Sequence, residues 1–233
     1  EEHFFPWSPD SPFLYDLPVG TTQGEEEGFD TVHSYFALRK WECKEDAKGI
    51  RRFFLNGRPI LLNGLLDQGY WPDGLSTPPS AAAVELVDAR NATETLRALD
   101  PSRPVDEASG WFDRGGGDVH SIHNYFYPLR IRPNVRTVAL SEYGGIAWPM
   151  PGHEPPRKTY GYGTAKDRQE LTARYKKLQL KTVLPQLEKG LSALVYTQLT
   201  DVEDEVNGLF TYDRAAVKPD ANVVRSVKEA LAA

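Results

Sequence analysis

The segment Ile60–Leu66, Ile-Leu-Leu-Asn-Gly-Leu-Leu, is apolar almost throughout. A strand with one wet face alternates apolar and polar residues, whereas one without alternation is buried on both faces, as in a parallel sheet or a barrel wall. Before it, Phe53-Phe54-Leu55 and Arg58-Pro59-Ile60 flank Asn56-Gly57, which reads as two strands joined by a tight turn. After it, strand signals recur at Arg103–Ala108, Asp118–Tyr125, Thr137–Glu142 and Leu191–Thr200. Residues 81–99 have helical composition and stop at Pro101; Thr164–Leu187 reads as a long amphipathic helix, with Thr164 and Asp167 as a cap and Pro185 as a bend. Strands alternating with helices and long loops indicate an α/β fold of parallel strands. Five inner strands are visible, against eight in a closed (β/α)8 barrel. The fold expected is an incomplete or shortened TIM-type barrel.

Residues 1–46 follow another grammar. Pro6, Pro9 and Pro12 punctuate short segments; Phe13-Leu14-Tyr15 and Thr31–Phe36 can form strands, with Gly20–Gly28 as a polar loop between them. A complete immunoglobulin-type sandwich needs about seven strands. This segment therefore reads as the last strands of an immunoglobulin-like β-sandwich, and residues 47–233 as the shortened barrel domain.

Charge and composition narrow the function. With 33 acidic against 27 basic residues the net charge is −6, a poor match to phosphate backbones or anionic lipid, so neither nucleic acid nor a membrane is expected as partner. Cys43 is the one cysteine, which excludes an internal disulfide and a multi-cysteine zinc site. Gly115-Gly116-Gly117 lacks the Lys-Ser/Thr of a phosphate loop, and no cofactor is implied. His120 and His123, three apart on a strand, fall on opposite faces and make no metal pair. No apolar run approaches the roughly 20 residues of a membrane span, no signal pattern opens the chain, and the compartment stays open.

The strongest local signal is Arg136–Gly145, an apolar strand that ends in Ser141-Glu142-Tyr143-Gly144-Gly145. It delivers an acidic side chain at a carboxyl end, the edge where α/β barrels build active sites, directly before glycines that let the backbone turn beside a ligand. A strand-end Glu can equally be a solvated surface charge. Ser121–Pro128 brings His123, Asn124 and Tyr125 to a second strand end, where they supply donors, acceptors and a stacking face suited to a sugar ring. Trp111, Gln198, Asp67 and Trp71 are further candidates to line such a site, as is Tyr143. The run Asp201-Val202-Glu203-Asp204-Glu205 puts four carboxylates in one loop, most simply a solvated one.

These pieces, in this order, resemble the family 2 glycoside hydrolases, which include β-galactosidases, β-glucuronidases and β-mannosidases. Trp7–Leu17 and Phe36–Lys40 resemble the end of that family's immunoglobulin-like domain, Phe54–Ile60 its entry into the barrel, and Ser141–Gly145 its nucleophile strand. The resemblance implies an enzyme that hydrolyses β-linked O-glycosides with retention, a carbohydrate substrate, and Glu142 as nucleophile. It also implies an acid/base Glu following an Asn, yet no Asn-Glu pair occurs anywhere in the chain. Glu107 and Glu203, near expected strand ends, are the substitutes to test. Two other readings follow: from that gap, a catalytically inactive remnant that binds carbohydrate or serves as a scaffold; and, from three barrel strands that the sequence lacks, a chain that forms no independent soluble domain because its strand edges are unpaired, for which association into a homo-oligomer is the expected sign.

Overall fold

The computed structural model describes residues 4–23, 26–66, 89–107, 110–111, 113, 115–126, 128–153 and 159–232. Within these the chain is mixed α/β, with one parallel sheet and two antiparallel units. The first antiparallel unit is a ribbon of β1 (Tyr15–Gln23) and β2 (Glu26–Phe36). The loop expected over Gly20–Gly28 is thus mostly strand, because pairing continues past Gly20 to Gln23 and resumes at Glu26. The second unit is β3 (Trp41–Glu45), β4 (Arg51–Leu55) and β5 (Arg58–Pro59). Asn56 and Gly57 turn the chain between β4 and β5 with φ of 51° and 79°, the positive values that this dipeptide tolerates.

The parallel sheet has the order β6 (Leu62–Leu65), β9 (Leu191–Thr197), β8 (Thr137–Gly144), β7 (Val119–Asn124). Strands β8 and β9 lie in its middle and are buried almost end to end, which is why Thr137–Leu140 and Leu191–Leu194 carry no polar alternation of faces. One face packs Val138, Leu140, Tyr143, Leu191, Leu194 and Tyr196 into the main core; the other sets the small Ala139 and Ala193, with Val119, against Phe53 of β4. Large residues toward the helices and small ones toward the β-hairpin fit each face to what covers it.

Three expectations fail here. β6 is exposed over Asn63–Leu65 rather than buried on both faces, since among the described residues only β9 pairs with it. Residues 103–107 form no strand; Asp118 ties that segment down instead, its Oδ2 accepting the Val105 N–H. The long helix is three pieces: α2 (Arg168–Lys177), a π-helical segment Leu178–Val183, and α3 (Leu184–Leu187). It is capped at Asp167, whose Oδ1 accepts the Glu170 N–H, and Pro185, lacking an N–H, stands where the π-helical turns give way. Two further helices are α1 (Ala89–Leu99), the described part of the helix expected over 81–99, and α4 (Ala221–Ala232), which buries Val227 and Leu231 in the main core. Among the described residues no helix is long and apolar enough to cross a membrane.

Candidate active site

Because all four strands of the sheet run the same way, their carboxyl ends lie side by side. A cleft of about 240 Å³ opens there, lined by Leu66 after β6, Tyr125 after β7, Glu142 on β8, Thr197 at the end of β9, and Tyr162 and Glu205 from loops. This is the edge at which parallel α/β sheets bind ligands. A larger hollow of about 370 Å³, between the N-terminal segment and the β4–β5 turn, is lined by Phe4, Pro6, Leu38, Arg39, Lys40 and Asn56 and contains no acid.

The register of β7 against β8 shifts between Ile122 and His123, so that His123 faces Glu142. Such an irregularity re-aims side chains at a strand end. Glu142 Oε2 accepts the Tyr125 hydroxyl at 2.9 Å and lies 3.3 Å from His123 Nδ1. Tyr125 has one phenolic proton; with it given to Glu142, the Thr197 hydroxyl, 2.9 Å away, donates to the phenol oxygen. Burial, and after it the negative charge of Glu142, push the Tyr125 phenol well above its ordinary range, so it remains a neutral donor. The Glu142 side chain keeps 27% of its surface open and has no Lys or Arg in ion-pair contact among the described residues. A carboxylate held by a neutral phenol and facing a cleft keeps its charge available to react.

An aromatic row borders this acid. Tyr162 stacks on Tyr125 with ring centroids 3.6 Å apart and planes 12° apart, and Trp111 lies 6.2 Å beyond Tyr125 at 29°. Gly145 makes the stack possible: a Cβ there would stand 2.6 Å from the Tyr162 ring and 3.2 Å from that of Tyr125, and its φ of 62° suits glycine. The Tyr162 phenol is pushed up to about 12, first by burial, then by Tyr160 and the charges of Glu205 and Glu142.

The second carboxylate of the cleft is Glu205. Its Oε2 accepts Gln198 Nε2 at 3.0 Å and Asn207 Nδ2 at 3.4 Å, and Gln198 Nε2 also reaches Asn207 Oδ1 at 2.7 Å. The loop that carries it closes on a buried ion pair. Lys218 Nζ donates to Asp201 Oδ1 and Oδ2 at 2.7 and 3.0 Å and to the Val206 carbonyl at 2.8 Å, and Asp201 Oδ1 accepts the Gly208 N–H. Burial pushes the Asp201 carboxyl up and the Lys218 ammonium down, each opposed by the other's charge.

The remaining candidates divide by location. Glu142, Tyr125 and His123 come together, Trp111 touches the last two rings, and Gln198 is fully buried beneath Glu205. Tyr143, expected to line a sugar site, points into the core, where its hydroxyl donates to Gln179 Oε1. The Asn124 carbonyl oxygen turns back to the Phe126 N–H. Of the substitute acids, Glu203 is exposed on a turn at φ 50°, and Glu107 packs against Gly116 with both oxygens buried and unbonded among the described residues; neither lines the cleft. Asp67 and Trp71 lie outside the described residues. Sequence reasoning missed Tyr162, Thr197, Leu66 and Glu205; the last sat in the acidic run, and only its tertiary partners single it out. No group of three His, Cys, Asp or Glu side chains with metal-binding proximity occurs among the described residues.

No protein-family model matches the chain, and no curated protein matches its sequence. Solved structures do match in shape. The β-glucuronidase of Parabacteroides merdae superposes with a TM-score of 0.58 at 11% identity, over 91% of this chain and 41% of that one. The Bifidobacterium dentium β-glucuronidase gives 0.58 at 12%, over 97% and 55%, and one from an uncultured Clostridium species 0.56 at 14%, over 97% and 58%. The chain thus spans about half the length of these enzymes, and what it shares with them is their fold.

Proposed function

We propose that this protein is a glycosidase of the family 2 type, hydrolysing β-linked O-glycosides with retention. Residues 1–46 are then the trailing part of an immunoglobulin-like domain, with β3 pairing onto the next unit, and residues 47–233 a shortened barrel domain. The observation that carries the reading is Glu142, lining a ring-sized cleft at the carboxyl edge of a parallel sheet with no Lys or Arg paired to it among the described residues. Its carboxylate attacks the anomeric carbon; the glycosidic C–O bond breaks, and the leaving oxygen takes a proton from a second carboxyl group. Water, deprotonated by that same group, then displaces Glu142 and releases the sugar. Glu205 is our candidate for the second carboxyl, replacing Glu107 and Glu203, because it lines the same cleft.

A second reading, a remnant that binds sugar without turnover, is favoured by the two side-chain amides that donate to Glu205 Oε2 and tie that oxygen to the loop rather than leaving it to a ligand. The two readings separate on a panel of 4-nitrophenyl β-glycosides followed by proton NMR. Release of the β-anomer first, abolished in Glu142→Gln, supports the hydrolase; binding without release supports the remnant. Release of the α-anomer first contradicts retention. For Glu205 as acid/base, Glu205→Gln should slow poor leaving groups far more than the activated nitrophenyl, and an equal loss on both would assign the proton donor elsewhere.

A further inference from the structure

The cleft of about 240 Å³ is smaller than the roughly 300–1,000 Å³ of pockets that enclose a drug-sized ligand. It accommodates one sugar-ring-sized group, so the rest of a glycoside must lie at its mouth. Three large aromatic side chains stand in the open nearby: Phe126, 70% exposed, Trp111, 52%, and Tyr160, 51%. Phe126 and Tyr160 both meet the ring of Tyr162, at 6.0 Å and 87° and at 5.7 Å and 73°, and Tyr162 itself lines the cleft. The aromatic surface is thus continuous with the cavity.

It is also fixed in place. The Phe126 N–H donates to Asn124 Oδ1, and the Tyr162 N–H to the Gly145 carbonyl. Tyr160 is pinned on both sides, its N–H donating to Asp204 O and its carbonyl accepting the Val206 N–H. Exposed rings on a held backbone bind with little ordering cost, whereas clusters of exposed apolar side chains are otherwise unfavourable at a surface. Asn124, the polar neighbour of Phe126, turns its side-chain oxygen back to the main chain, so that acceptor is engaged and the Phe126 ring is what the turn leaves exposed.

We infer that Phe126 and Tyr160, flanking Tyr162, are the platform for the leaving group, and that this group is a flat aromatic ring. The inference rests on the glycosidase reading for the words "leaving group", but the platform can be tested without turnover. The probes are phenyl and methyl 1-thio-β-D-glucosides, -galactosides and -glucuronides, which resist hydrolysis, titrated by calorimetry into the wild-type chain and into the Phe126→Ala and Tyr160→Ala variants. Both positions are exposed, and circular dichroism checks that the variants fold.

At least one phenyl thioglycoside should bind about tenfold more tightly than its methyl counterpart, and each variant should lower that ratio about three- to tenfold while leaving the methyl compound unchanged. An unchanged ratio, no binding of any phenyl probe, or tighter binding of a thio-linked disaccharide would overturn the proposal. So would concentration-dependent dimers that vanish in Phe126→Ala, which would assign the rings to a second copy. Discrimination as expected with no hydrolysis of the matching O-glycosides sinks the glycosidase reading and keeps the platform. Hydrolysis with an unaltered ratio does the reverse.

Discussion

Two carboxylates belong to neighbouring strands of the sheet, one on β8 and one in the segment that follows β9, and the protein treats them in opposite ways. Asp201, after β9, is 2% exposed at its side chain, is gripped by a fully buried Lys218 and accepts a backbone N–H as well. Glu142, on β8, is 27% exposed and has a phenol and an imidazole for neighbours. A charge sealed with its counter-ion fixes a loop, and a carboxylate left part-open in front of a cleft, with no Lys or Arg paired to it among the described residues, is free to act. Asp201 is therefore architecture, although it lies in the same acidic run as Glu205, and Glu142 is the acid we propose for the chemistry.

The comparison breaks most visibly at Glu142. Glu142→Gln should lower glycoside turnover by about 10⁴-fold or more, as removal of a nucleophile does, while the unfolding free energy from urea titration shifts by less than about 0.5 kcal/mol. At Lys218 the pattern should invert in kind. Lys218→Met leaves a buried carboxylate unpaired and should destabilise by about 3–5 kcal/mol, lowering Tm by about 6–20 °C in calorimetry; adding Asp201→Leu should recover much of the loss. Tyr125→Phe sharpens the picture at Glu142: one hydrogen bond to a charged group is worth about 1.5–3 kcal/mol, so kcat should fall about ten- to a hundredfold in steady-state assays with the fold intact.

The smallest effect is electrostatic and distant. Hydrogen bonds from Arg136, Arg52 and Thr211 lead the causes that hold Asp113, Asp46 and Asp213 down to about 2. Carboxyls depressed on folding add stability above their ordinary range that is lost as pH falls from about 4 toward 2. Urea midpoints measured across that window should decline, and Asp113→Asn should flatten part of the decline without altering the activity lost in Glu142→Gln.

What could be read from the sequence was local. The strand expected at Thr137–Glu142 is β8, Thr137–Gly144, because an apolar run stopped by glycines specifies itself within ten residues. The Asn56-Gly57 turn was legible for the same reason. Glu205 was not: which of four neighbouring carboxylates turns toward the cleft depends on Lys218, 17 residues after Asp201, and on the side chains of Gln198 and Asn207. Tyr143 misled because its place in the motif says nothing about which face of β8 it occupies; the register shift beside Glu142 sends it to the core. Nor could Ile60–Leu66 reveal that its strand would have a single partner among the described residues.

The most direct test is a covalent trap. Incubated with 2-deoxy-2-fluoro β-glycosides bearing an activated leaving group and then digested, the protein should yield one peptide heavier by a fluorosugar, with the ester on Glu142. A label on another carboxylate, or turnover of the parent glycosides with no trapped ester on any peptide, would contradict the account.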